Sequence, residues 1–229
     1  MQHRLNISTP ESDVGSVYER LVAATEASRR EFLAIPILQR ALQGQVTRDE
    51  YVTFLGQAYH HVRHTVPLLM GCGYRLPDRL NWLRKALGEY IEEEVGHEEW
   101  ILDDIRACGG DADAARAADP FPATELMVAY AYDTIQRRNP LGMFGMIFVL
   151  ESTSAALASQ AAGVIQNSLG LPKQAFRYLT SHGSLDVEHM QFFQSLVNRF
   201  EDPEDIKALL HCAKMVYHLY GDVFRSIPE

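Results

Sequence analysis

Cysteine is scarce in this chain. Cys72, Cys108 and Cys212 are far apart, odd in number and without C-x-x-C spacing. That argues against a disulfide framework and fits a reducing compartment. Basic residues are outnumbered, with 21 Lys and Arg against 30 Asp and Glu and a formal net charge of -9. No basic patch with interleaved aromatics occurs, which removes nucleic acid as an expected partner. No uninterrupted apolar run reaches the roughly 20 residues of a membrane-spanning helix. The first residues, MQHRLNISTPESD, lack the apolar core of a signal peptide, so a cytoplasmic protein without membrane attachment is expected. Strict polar/apolar alternation is missing too, and with it any sign of a half-buried strand. No internal repeat or low-complexity segment is visible.

What is present is helical periodicity. The chain has 229 residues, 47% of them hydrophobic, enough for a sizeable core. Residues 1–13 form a polar lead-in, and residues 14–229 are expected to make one domain. Val17, Leu21, Ala24 and Phe32 keep helical spacing after Ser16, and Pro36 opens a short second segment. Thr47 with Glu50 is a capping box that predicts a long helix to about Val66, with Pro67 kinking or ending it and Gly71-Cys72-Gly73 as the stop. Further helices are predicted from Leu76 to Ala107, from Thr124 to Arg138, from Leu141 to Asn167, from Pro172 onward with a break at Gly183, and from Pro203 to Phe224. Residues 109–123 read as a loop. The small residues between Ser152 and Ala162 predict close approach of another helix. The fold class is all-α, a helical bundle of seven to eight helices.

Three groups of polar residues stand out against that apolar pattern. His182, Asp186 and His189 fall at i, i+4 and i+7, one narrow face of a helix. Phe176, Leu179, Leu185, Phe192, Phe193 and Leu196 flank them at core spacing. Polar groups among core residues need partners or a metal ion, because burying them unpaired is costly. The plainer alternative is an internal hydrogen-bond network. Glu94 and His97 form a second group, a Glu-x-x-His unit that can turn a carboxylate and an imidazole to one point. Glu93 stands four residues before the same histidine, and the plainer reading of the whole acidic run is a solvated face. Glu151 is the third, a lone carboxylate in an apolar helix with no basic residue between Arg138 and Lys173 to neutralise it locally. Its plainer reading is an ion pair with a distant base. Together these residues offer three carboxylates and three imidazoles, a mixed oxygen and nitrogen set. Such a set suits iron or manganese better than structural zinc or magnesium, and Glu151 is placed to bridge two ions.

This pattern resembles the haem-oxygenase-like di-iron oxidases and oxygenases, relatives of the TenA-type and PqqC-type helical proteins. What matches is Glu94-x-x-His97, a Glu 54 residues later at Glu151, and His182-x-x-x-Asp186-x-x-His189. The resemblance implies a haem-oxygenase-like fold over nearly the whole chain. It implies two iron ions held by Glu94, His97, Glu151, His182, Asp186 and His189, the second ion labile, with manganese compatible and no haem. Some members carry the first carboxylate seven residues before the histidine, where this chain has Tyr90, and Glu93 is the alternative to Glu94. The activity implied is oxidation of a small organic substrate by dioxygen, with an external electron donor and a homodimer both compatible.

Other residues compete for a role. His60 and His64 are one turn apart beside Tyr59, and the three are candidate pocket residues because this part of the fold lines the substrate cavity in the family. Of His60, His61 and His64, at least one is expected to bond within the bundle and the rest to be exposed. His211 and His218 read as structural or surface residues. Two further functions remain open. A metal-free TenA- or PqqC-like enzyme would need, for hydrolysis, a nucleophilic cysteine in the pocket; a true haem oxygenase would need an axial histidine near the start, where only His3 stands. A non-catalytic helical protein would use the acidic surface to meet a basic partner.

Overall fold

The computed structural model describes residues 15–229, except for the side chains of residues 182–188. The lead-in at 1–13 lies outside the described residues. Among those described, eleven α-helices and three short 3-10 turns occur, and no strand. In chain order the helices are α1 (Val17–Leu33), α2 (Pro36–Leu42), α3 (Arg48–Val62), α4 (Thr65–Arg75), α5 (Asn81–Glu94) and α6 (His97–Ala107). They continue with α7 (Ala112–Ala117), α8 (Pro122–Arg137), α9 (Met143–Leu169), α10 (Arg177–Val197) and α11 (Pro203–Arg225).

The all-α architecture follows from the periodicity, and the boundaries differ from expectation for local reasons. The Thr47 capping box forms, its hydroxyl accepting from the Glu50 N–H while the Glu50 carboxylate accepts from the Thr47 N–H. The helix it opens stops at Val62, before Pro67 can act on it. Pro67 falls in the first turn of α4, where a missing N–H costs nothing, and α4 runs straight through Gly71-Cys72-Gly73 to Arg75. The helix expected from Leu76 to Ala107 is broken at Val95-Gly96. Asp111 caps an additional short helix, α7, inside the expected loop. The start of α8 is Pro122, not Thr124. Thr124 is buried inside it and donates to the Gln57 carbonyl oxygen, which also receives the Phe121 N–H, so α3 caps α8 from outside. The expected break at Gly183 is absent, since α10 is continuous.

α9 is the central helix, with α10 and α11 packed along it. By length and composition it could cross a membrane, but over half of that stretch is buried inside the fold. α9 meets α11 closely at Gly145. A Cβ there would sit 2.5 Å from the Ala213 nitrogen and 2.6 Å from the Leu209 oxygen of α11. The small residues Ser154, Ala158 and Ala161 line a cavity beside α9.

Candidate metal centre

The site is assembled where α5, α6, α9 and α10 meet. α5 ends at Glu94, Val95 turns extended, and Gly96 takes φ +90°, a backbone angle that L side chains rarely adopt. α6 then begins on His97 itself. Glu94 and His97 are therefore joined across a sharp turn and are not successive turns of one helix, as their spacing had predicted. They still meet, with His97 Nδ1 3.1 Å from Glu94 Oε2. Behind His97 lies the Trp100 ring at 4.0 Å, and the Arg177 guanidinium covers that indole at 4.2 Å. This stack holds the imidazole plane, and nothing in the sequence spacing pointed to Trp100.

Glu151 and His189 face each other from α9 and α10. His189 Nδ1 stands 3.8 Å from Glu151 Oε1, and its Nε2 is 2.9 Å from Glu93 Oε2. The end of α5 thus serves both histidines, Glu94 bonding His97 and Glu93 bonding His189. The two carboxylates differ in setting: the Glu93 side chain is 54% exposed and Glu94 is largely buried at 12%. Tyr90, one turn earlier, presents its ring edge to His189 at 5.9 Å. His182 and Asp186 belong to the side chains outside the described residues. Among the described residues, no three His, Cys, Asp or Glu side chains enclose a point where a metal ion could sit. The donor chemistry fits such an ion: two carboxylate–imidazole pairs, mostly buried, on the helix that also carries positions 182 and 186 and on the three elements around it.

Glu94, Glu151 and Tyr90 line a cavity of about 180 Å³. Its other walls are mainly apolar, with Leu68, Met146, Ile147 and Phe54 among them. Tyr59, His60 and His64 are not on this wall. His60 and His64 border a separate hollow with Pro120 and Val128, and His64 Nδ1 bonds the Tyr132 hydroxyl at 3.0 Å. Burial, then the nearby Arg63 charge, lowers the pKa of both imidazoles. Tyr59 packs under the Arg63 and Arg116 guanidinium groups. The histidine that does face the main cavity is His61, which the spacing did not distinguish from its neighbours. All three cysteines are buried, and desolvation pushes Cys72 and Cys212 up to about 12 and Cys108 up to about 11. None of them lines the cavity.

The sequence profile of a haem-oxygenase-type family described as "iron-containing redox enzyme" matches residues 52–221. The chain belongs to that iron-containing redox enzyme family. The matched span contains every candidate ligand. No curated protein matches this family member in sequence. Its fold is similar to a domain of unknown function with a heme oxygenase-like fold from Shewanella denitrificans, with TM-score 0.82 and 20% identity over 94% of this chain and 93% of that one. A TenA homologue from Pseudomonas syringae pv. tomato gives TM-score 0.77 and 11% identity over 98% and 97%. Heme oxygenase-1 from the cyanobacterium Synechocystis, in complex with heme, gives TM-score 0.71 and 13% identity over 92% and 91%. These likenesses establish a haem-oxygenase-like fold for the family member.

Proposed function

We propose that this protein is a non-haem di-iron oxidase or oxygenase that uses dioxygen to oxidise a small organic substrate. The observation that carries the reading is the meeting of His189 with Glu151 and Glu93, three helices brought to one imidazole beside an apolar cavity. Glu94, His97, Glu151, His182, Asp186 and His189 are the proposed holders of two iron ions, with manganese as the alternative metal. Iron held there would supply the electron transfer to dioxygen that side chains alone cannot.

The rest is the work of the chain's own residues. The carboxylates of Glu94 and Glu151 balance cationic charge beside a poorly polar cavity, where electrostatic attraction is stronger than in water. His97 is held in plane by Trp100, so its ligating nitrogen is aimed before any ion arrives. The apolar walls exclude water and position the substrate beside the carboxylates. A cysteine-dependent, metal-free hydrolysis is disfavoured, because each thiol is buried away from the cavity and held protonated by desolvation.

Anaerobic loading with Fe(II), followed by elemental analysis, tests the reading. About two irons per chain are expected, with most of that uptake lost in His189→Ala, and a transient visible absorption on admitting oxygen. Equal metal uptake by both proteins, or none by either, would overturn it.

A further inference from the structure

His189 meets a carboxylate on either side of its ring, and the two contacts differ. Its Nε2 is 2.9 Å from Glu93 Oε2, a hydrogen-bond length. Its Nδ1 is 3.8 Å from Glu151 Oε1, beyond that reach. An ionised carboxylate can only accept, so the hydrogen in the Glu93 contact is carried by Nε2. A neutral imidazole protonated at Nε2 presents its lone pair at Nδ1, on the side of Glu151.

The acids also differ in where they sit. Glu151 lines the cavity with a side chain only 11% exposed. Glu93 is turned to the surface, 54% exposed. Glu93 and Glu94 are neighbours on α5, about 100° apart around the helix, so they face different ways. Glu94 is the one that lines the cavity. Tyr90 stands one turn before Glu93 and sets its ring against His189 at 5.9 Å. Phe192 of α10 backs Tyr90 at 5.5 Å. α5 therefore holds the imidazole twice, by a hydrogen bond at one nitrogen and by a ring contact. Turning the imidazole over would give up the Glu93 bond.

We infer that Glu93 is a positioning residue for the proposed metal centre and not one of its ligands. It takes the Nε2–H of His189 and so assigns Nδ1, the nitrogen beside Glu151, to the metal ion. A ligating histidine commonly donates its other ring N–H to a carboxylate, which fixes the tautomer and the ring orientation. The inference rests on the di-iron reading and decides between two adjacent acids, Glu93 and Glu94, that the spacing to His97 left open.

The test uses Zn(II), which is diamagnetic, in place of iron in the full-length protein carrying isotope-labelled histidine. Long-range proton–nitrogen NMR spectra tell Nδ1 from Nε2 and a metal-bound nitrogen from a protonated one. His189→Ala identifies the His189 signals. Metal on Nδ1 and a proton on Nε2 are expected. Anaerobic calorimetry with Fe(II) then compares two variants at this half-exposed position. Glu93→Leu removes the acceptor and should weaken binding about 10- to 100-fold. Glu93→Gln keeps an oxygen for the Nε2–H and should recover most of that loss. Metal on Nε2, equal losses in the two variants, or no loss in Glu93→Leu would overturn the inference and leave the di-iron reading standing. Zn(II) on Nδ1 in a protein that takes up no iron would keep the positioning role and overturn the di-iron reading. Zn(II) on neither nitrogen of His189 would overturn both.

Discussion

Gly96 decides how Glu94 meets His97. Its φ of +90° costs an L-residue roughly 1–2 kcal/mol, while a Cβ there would meet no atom within 4 Å. The penalty for Gly96→Ala is therefore one of backbone conformation, without steric clash. A drop in Tm of several degrees is expected by thermal melting, together with weaker metal uptake as the turn relaxes. Gly96→Asn should lose less, because Asn tolerates the left-handed region better. Equal losses in both variants would mean that the turn is held by something other than this dihedral. The sequence displayed Glu-x-x-His, and the pair does form; the glycine between them signalled the break, and the helical spacing concealed it.

Asp104 ties one ligand-bearing element to another. It lies on α6, fully buried, and its two oxygens accept the Arg177 and Tyr178 N–H groups at 3.0 and 2.9 Å. It thereby caps the start of α10, the helix of His189, from the helix of His97. Desolvation raises its pKa to about 6, outweighing those two hydrogen bonds. The folded state then holds a proton that the unfolded chain releases near pH 4. Stability from this group is full below about pH 4 and falls as pH rises through about 6, the reverse of a salt-bridged carboxylate. Asp104→Asn should flatten that slope in denaturant titrations run between pH 4 and 7; an unchanged slope would show that another group sets it. At the other side of α9, Gly145→Ala would drive a Cβ to 2.5 Å from α11 backbone, which cannot swing aside. A loss of several kcal/mol is expected in the denaturant midpoint. The sequence placed a close helix approach among the small residues of 152–162; Ser154, Ala158 and Ala161 of that stretch line the cavity, and the tightest glycine contact, with α11, falls at Gly145.

For the whole molecule, the net charge of -9 and the buried acids beside the cavity predict a fold stabilised by cations bound at the site. Any ion that binds only the folded chain adds RT ln(1 + [L]/Kd), about 2.7 kcal/mol at a hundredfold excess over Kd. Differential scanning calorimetry should show Tm rising with Fe(II) or Mn(II) in the native protein and not in His189→Ala. A parallel rise in both would place the cation elsewhere. The cavity and the Glu151–His189 pair both draw on the middle of α9. This explains why a long apolar helix sits inside the bundle with one acid in it.

The sequence by itself determined that the chain is helical, where the Thr47 cap opens α3, and which residues carry donor chemistry. These are properties of one segment and its own periodicity. It also carried the resemblance that the family match and the shared fold uphold. Only the tertiary structure decided that His61, and not His60 or His64, faces the main cavity, that Glu93 and Glu94 serve different histidines, and that Glu94 and Glu151 line one cavity. Adjacent helical residues point about 100° apart, so a run of histidines offers several faces at once. Which face turns inward is set by how neighbouring helices pack, here by the packing of α3 against α6 and α8.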